Sequence, residues 1–504
     1  MDSSSSAAAR VVRARFLAPS ATGLAAAGVV LPSTPFELPA ALNREGLARV
    51  ANHLIAAAAE VAGTEAEHLQ QEWDVLCAGR LVRSSLERHL RAAGESALED
   101  VIELALIRPV APAASSSARR APDWVRGVGC ASGLALSACM DGALVLHAIE
   151  GDVVRAVDDG RVSSSGLEGS GSAASSAVLS ARPIAAWVGH AGPAQVAVME
   201  TGPALPATHS AVAVTGGKDG VARLWRLRAS ASGPAARGSS AAAQFAEPCA
   251  LLAGHATTVT AAAWGRGLGS VATGDWSGEV CLWDASAASE PGWASDDSKD
   301  DAEADPASKA RGAKRARRTS AAEPAAVDPA ARMPAHTGAV GGVTWASSSS
   351  LVTGGWDRTI KIWDPEHTGM GGDGHAAIID CFKACTGVAS AAAAGSGSDC
   401  FASSHTDGAV RIWDARAAGG DRGSALRGHS GWASAVAWRP GSSHHLASAG
   451  HDGRVALWDT RAPSQPLHWA IQHDGKCLSV AWDSPSVLCS GGSDRRVRSV
   501  CFPQ

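Results

Sequence analysis

The 504-residue sequence has no tyrosine, few lysines, and no CxxC pair among its eleven cysteines. That odd number, scattered from Cys77 to Cys501 without regular spacing, excludes a disulfide framework and suits a reducing compartment. The closest pair, Cys381 and Cys385, has no His or Cys partner at ligand spacing, so neither a bound metal nor a cofactor is expected. No apolar run approaches the roughly 18 residues that span a bilayer, which leaves the membrane out as a partner. A net charge of −5 is too weak over this length to drive binding to nucleic acid, so any basic contact must be local. Missing too are a GxSxG elbow, a P-loop and an HExxH pair. The expectation is a protein that is not an enzyme and has no small-molecule substrate.

What is present is repetition. One phrase recurs seven times: SACMDGALVLH ending at 147, TGGKDGVARLW at 225, TGDWSGEVCLW at 283, TGGWDRTIKIW at 363, SSHTDGAVRIW at 413, SAGHDGRVALW at 458 and SGGSDRRVRSV at 500. Each begins with Ser or Thr, has Asp four residues on in six of seven copies, and a large residue six further on. Asp and Gly tolerate a tight turn, and the alternating residues that follow form a half-buried strand. Upstream, GH or HxG elements (His190, His255, His336, His429, His473) precede apolar runs such as SAVAW and LSVAW. Where no insertion intervenes, Asp407, Asp452 and Asp494 are spaced by 45 and 42 residues.

Short strands repeating at this period with GH and WD signatures resemble the WD-repeat family, which implies a mainly β chain with a seven-bladed WD40 β-propeller over 123–504. In that family His, Ser or Thr, Asp and Trp form a buried hydrogen-bonded tetrad. The matching sets are His190, Thr215, Asp219 and Trp225; His336, Thr353, Asp357 and Trp363; and His429, Ser448, Asp452 and Trp458. A His-Ser-Asp set invites a hydrolase reading, but its repetition makes it structural. Ser277 replaces the turn Asp in the third copy, where Asp275 is a candidate substitute, while His147 and Val500 replace Trp. The first and fifth copies lack a convincing GH. The chain stops just after the third strand of the last blade, so residues between Arg108 and Pro122 are expected to supply its outer strand.

Residues 10–110 read differently, as strand (VVRARFLA), strand (GVVLPSTPFELP), helix, strand (WDVLCAGRLV), short helix and strand (EDVIELALI). The first 36 residues have the Arg and Ser content of a transit peptide, but the alternation in VVRARFLA is that of a strand. In the helix, Leu47, Val50, Leu54, Ile55 and Ala58 share one face. This order resembles a ubiquitin-like β-grasp. FELP, the NHL helix, WDVLCAGRLVRSSLERHL and DVIELAL resemble the Notchless-like (NLE) domain that precedes WD repeats. Residues 111–122 form a linker and possible closing strand.

The combination is similar to WD-repeat ribosome biogenesis proteins, closest to the seven-bladed partner of Pescadillo and Bop in the PeBoW complex; a Notchless-type factor is the alternative lineage. This resemblance implies a scaffold in large (60S) subunit assembly and pre-rRNA processing, located in the nucleus, nucleolus and nucleoplasm. It also implies docking of the N-terminal domain on the metal site of midasin, an AAA ATPase that releases factors from pre-ribosomes. The family's acidic residue before the final strand falls on Glu99, beside Asp100, with Glu95 as fallback; a carboxylate there would complete the coordination of the partner's cation.

Inserts near 151–182, 228–248 and 286–333 read as disordered surface loops. The third holds the basic run 309–318, where Lys309, Arg311, Lys314, Arg315, Arg317 and Arg318 suit nuclear import or contact with rRNA. On a propeller the residue before the turn Asp lies on the top rim. Lys218, Trp276, Trp356, Thr406 and His451, with Trp432 just after Gly428-His429, are therefore the expected partner surface. Met140 and Ser493 complete that register. Trp264, Trp345, Trp438 and Trp482 end first strands and belong to the core. A receptor for a cullin-type ubiquitin ligase is the competing function, through WDxR boxes at Trp413–Arg416 and Trp458–Arg461.

Overall fold

A computed structural model describes residues 11–19, 24, 27–63, 72–93, 101–149, 183–200, 211–228, 245–265, 269–285, 324–346, 350–364, 375–392, 394–395, 399–415 and 424–503. No helix among them is long and apolar enough to cross a membrane. Contacts divide the chain into two compact units, Met1–Pro112 with Trp458–His468, and Ala113–Leu457 with Trp469–Gln504.

In the first unit, β1 (Val11–Leu17) alternates so that Val12, Ala14 and Phe16 are buried while Val11, Arg13 and Leu17 face outward. It pairs antiparallel with β2 (Phe36–Pro39) and parallel with β5 (Ile102–Ile107), while β3 (Asp74–Cys77) joins β5 and β4 (Arg80–Leu81) forms the edge. The sequence expectation of one strand over WDVLCAGRLV is corrected to a hairpin. Ala78 and Gly79 both take positive φ, 49° and 73°, the conformation of a two-residue turn whose twist matches its strands. The second strand is also shorter than expected, beginning only at Phe36.

Helix α1 (Arg44–Ala62) starts at Asn43, whose side chain accepts the Gly46 N–H, and stops at Gly63 in the left-handed region. Its deepest stripe is Leu47, Ala51, Ile55 and Ala59 rather than the face drawn through Val50, Leu54 and Ala58, which are only partly buried. Small alanines allow the closest approach to the sheet, so they take the centre. Helix α2 (Leu86–Ala93) anchors Leu86 and Leu90 in the same core.

The second unit contains seven further sheets among the described residues, each built on antiparallel strands, with one parallel strand added to the second. The first strands begin at Val125, Ala194, Val259, Val340, Cys385, Ala433 and Cys477. Each packs against the first strand of the next sheet, and the seventh packs against the first, which closes a ring. These strands are rich in Gly, Ala and Val because neighbouring backbones meet there: a Cβ on Gly342 would lie 2.4 Å from the Val388 nitrogen. Trp264, Trp345, Trp438 and Trp482 are buried at the strand ends.

The outer strand of the seventh sheet is β6 (Ser115–Arg120), paired antiparallel with Arg496–Cys501 over six residues. Chain from the far end of the sequence thus covers an edge that would otherwise be exposed. Two insert boundaries are corrected. Ala246–Ala253 is the fourth strand of the second sheet, so the segment drawn as 228–248 ends earlier. Within 286–333, Ala325–Val327 adds a parallel fifth strand to that sheet, and Ala331–Pro334 is the outer strand of the third. Composition hid both, because Ala and Pro dominate there and a three- or four-residue edge strand carries little periodicity.

Candidate interaction surface

The turn chemistry fixes the rim. In six copies the Asp carboxylate accepts the backbone N–H two residues on: Ala143, Val221, Thr359, Ala409, Arg454 and Arg496. Where Arg follows Asp instead of Gly, Arg358 and Arg495 are held at positive φ, 68° and 59°. The residue before each turn then donates its N–H to the residue leading into the first strand of its own sheet. The seven bonds are Met140 to Trp124, Lys218 to Pro193, Trp276 to Thr258, Trp356 to Ala339, Thr406 to Ala384, His451 to Trp432 and Ser493 to Lys476, at 2.8–3.2 Å. Both residues of every pair therefore lie on one rim.

On that rim four of the expected side chains meet. The Trp276 and Trp356 rings are 5.6 Å apart, Trp356 and Trp432 meet edge-to-face at 6.3 Å, and Trp432 stacks on His451 at 5.3 Å. Trp276, Trp356 and Trp432 remain 56%, 38% and 44% exposed. Three indoles in contact with one another and still open to solvent form a contiguous amphipathic surface, the kind of anchor that dominates protein interfaces. Lys218 and Thr406 share the rim through their backbone bonds but do not join the row of rings. Sequence reasoning missed Trp124, which occupies in the first sheet the register of Trp432 and is 51% exposed. Aligning the residues before the first strands, rather than only those before the turns, would have found it.

Below the rim, the repeated polar residues form sealed networks. His190 Nε2 lies 2.9 Å from Thr215 Oγ1 and its Nδ1 3.0 Å from Asp219, while Trp225 donates to the same Thr215 oxygen at 2.9 Å. His336, Thr353, Asp357 and Trp363 repeat this arrangement. His429 bridges Ser448 and Asp452, with Trp458 fully buried. His473, Ser490 and Asp494 form the same bridge although Val500 stands in for the Trp.

One proton arrangement satisfies every donor: Trp N–H to hydroxyl, hydroxyl to Nε2, and Nδ1–H to carboxylate. It requires a neutral imidazole. Burial lowers the pKa of His336, His429 and His473 accordingly, more than their Asp partners raise it. Burial pushes the Asp219 carboxyl up, but hydrogen bonds from His190 and Arg223 outweigh it and hold the acid well below its ordinary range. This is the geometry of a Ser-His-Asp triad, yet Thr215, Thr353, Ser448 and Ser490 are completely buried and their oxygens already engaged. No substrate reaches them.

The degenerate copies depart from this arrangement, and in the first both ring nitrogens of His147 are buried without a hydrogen-bond partner. In the fifth, the missing GH histidine is replaced by His405 from the second strand, which reaches Ser403 Oγ at 2.8 Å and the Lys383 carbonyl at 3.2 Å. Burial takes its pKa down to about 4. In the first, His147 fills the Trp position and burial, with Arg119 nearby, also lowers it to about 4. In the third, Asp275 Oδ1 accepts the N–H groups of Ser277 and Glu279 and the Ser277 hydroxyl, doing the work of the absent turn Asp.

A cavity of about 740 Å³ among the first strands is lined mainly by Val, Ala, Gly and Trp, with Glu200, Ser390 and Asp483 among its polar residues. In the WDxR box of the sixth sheet, Arg461 is folded back on Asp459 through bonds of 2.7 and 2.9 Å. Arg416, the basic run 309–318, Glu95, Glu99 and Asp100 lie outside the described residues.

The WD domain, G-beta repeat family model matches residues 246–284, 328–364 and 420–459. Curated relatives extend the similarity along the chain. Ribosome biogenesis protein WDR12 homolog of Chlamydomonas reinhardtii is 28% identical, over 93% of this chain and 94% of its own. The protein of the same name from Oryza sativa subsp. japonica is 28% identical over 97% and 96%. That of Arabidopsis thaliana is 27% identical over 93% and 92%.

Proposed function

We propose, for a chain homologous along nearly its whole length to the WDR12 ribosome biogenesis proteins, that it is a non-catalytic scaffold for assembly of the large (60S) ribosomal subunit. On this reading the ring of seven sheets is a seven-bladed WD40 propeller. The N-terminal sheet, with strand order β2-β1-β5-β3-β4 and one long helix, is a ubiquitin-like NLE domain. The propeller holds Pescadillo and Bop homologues, and the NLE domain presents Glu99, flanked by Asp100, to the metal site of midasin, so that an ATPase detaches the scaffold from pre-60S particles. The basic run 309–318 supports nuclear import, and the site of action is the nucleolus and nucleoplasm.

The observation that carries the scaffold reading is the exposed row Trp276, Trp356, Trp432 and His451, standing above networks whose hydrogen-bonding capacity is internally spent. Affinity purification of the tagged full-length chain with mass spectrometry tests it: Pescadillo and Bop homologues are the expected partners. Recovery of cullin adaptors in their place refutes it. The pairing of Arg461 with Asp459 speaks against that competing function, since the box in the sixth sheet offers no free guanidinium.

A further inference from the structure

The third sheet departs from its neighbours in a way the turn alone does not explain. Four residues after the turn position the second, fourth, fifth and seventh sheets carry a cation, Arg223, Lys361, Arg411 and Arg498, and the three arginines pair with the turn Asp. The third sheet has Cys281 at that register. Its acid, Asp275, is drawn into the strand and completely buried. Oδ1 is saturated by the turn, whereas Oδ2 is buried without a hydrogen-bond partner. It lies 3.3 Å from His255 Nδ1.

His255 Nδ1, Cys281 Sγ and a Glu279 carboxylate oxygen all fall within 4.8 Å of one another, with 3.9 Å between the nitrogen and the sulfur. Tetrahedral zinc bonds of about 2.0–2.3 Å place neighbouring ligand atoms roughly 3.3–3.8 Å apart. The nitrogen–sulfur separation is close to those edges, and a Glu279 oxygen lies within 4.8 Å of both atoms. The other imidazole nitrogen, Nε2, is fixed 2.6 Å from Thr273 Oγ1, the outer support that orients a metal-binding histidine.

We propose that the third sheet binds one zinc-class divalent cation through His255 Nδ1, Cys281 Sγ and Glu279, with a solvent oxygen in the fourth position. Charge balances: a dication with one thiolate and one carboxylate is neutral, while Arg332, 3.4 Å from Glu279 Oε1, stands against the charge of the buried Asp275. The Cys281 proton leaves to solvent on binding. The cation would offset the charge of the buried Asp275, 3.3 Å from the ligating imidazole nitrogen, the task the guanidinium performs in the second, fifth and seventh sheets. No sequence signature announces the site, because its ligands come from three strand and loop positions without CxxC or HxxxH spacing.

Metal-free full-length protein titrated with Co²⁺ tests this. Wild type should take up one ion with tetrahedral visible bands and a thiolate charge-transfer band, both displaced by one equivalent of Zn²⁺. Cys281→Ser should abolish the charge-transfer band, and Glu279→Gln, at a half-exposed position, should weaken affinity at least about tenfold. The proposal is overturned if wild type shows no thiolate band, or if the band persists in Cys281→Ser, which would put the ion on another cysteine. Should Cys281→Ser fail to fold, Glu279→Gln decides: unchanged affinity overturns the assignment.

Discussion

Replacing His405 by Ala tests whether a histidine from inside the strand has taken over the duty of the missing GH element. The side chain is fully buried and links Ser403 Oγ to the Lys383 carbonyl. Its removal deletes two hydrogen bonds at about 1 kcal/mol each and leaves the buried Ser403 hydroxyl proton without its acceptor for about 1 more, so about 3 kcal/mol at pH 7.5. The dependence on pH is more diagnostic. With a folded pKa of about 4 against 6.5 unfolded, the unfolded chain binds the proton first. The group's full contribution is therefore present above pH 6.5 and falls away as the pH drops toward 4. At pH 5 wild type should have given up about 2 kcal/mol through this residue, at 1.36 kcal/mol per pKa unit. The gap between wild type and His405→Ala should shrink from about 3 to about 1 kcal/mol. Guanidinium denaturation of the full chain at both pH values, followed by tryptophan fluorescence, measures it, with the exposed His53→Ala as control. A loss below about 1 kcal/mol at pH 7.5, or a gap that does not change with pH, refutes the role given to His405.

Trp356→Ala, at the centre of the aromatic row, should weaken partner capture by about 2–4 kcal/mol while leaving the melting temperature within a few degrees; calorimetric titration against the recovered partner checks both. Glu99→Ala should abolish midasin binding in a pull-down without altering propeller partners, and wild-type affinity would remove Glu99 from that role. Deleting residues 309–318 should reduce nuclear accumulation of a fluorescent fusion, and unchanged import would return the run to a solvated charged loop. Deleting Ser115–Arg120 should expose the Arg496–Cys501 edge and make the protein aggregate on size-exclusion chromatography, whereas a monodisperse, equally stable product would show that this strand is dispensable.

The repeat was legible because each copy carries several independent constraints at fixed spacing: a hydroxyl, an acid in a turn, a Trp. Residues bound by those constraints, such as Thr215, Asp219 and Trp225, fall where their spacing puts them. Asp275, two positions upstream of Ser277, was legible as the replacement for the absent acid, and its Oδ1 takes over the turn bonds. What sequence could not give was a replacement that breaks register altogether: His405 lies two residues beyond Ser403 on the same strand instead of ahead of the first strand. The hairpin at Ala78-Gly79 was missed because one positive-φ alanine gives no turn signal. Contacts between copies were out of reach too: the row from Trp276 to His451 depends on rings from several sheets converging, a distance no single repeat encodes.

The same residue types thus serve opposite ends. Below the rim, the His and the Ser or Thr are buried and the Asp half-buried, their protons are committed, and burial lowers the pKa of His336 and His429, so they have neither the access nor the basicity that catalysis needs. At the rim, Trp276, Trp356 and Trp432 stay open to solvent while their rings touch one another and His451. A fold whose repeated His, Ser or Thr, Asp and Trp groups bond to one another can tolerate three exposed indoles in a row without competing uses for them. Such exposure is a liability for a monomer in water, and it is offset only where a second surface covers it. The chain's function is therefore to be sought in what lies on that rim, while its repeated chemistry explains why the rim keeps its shape.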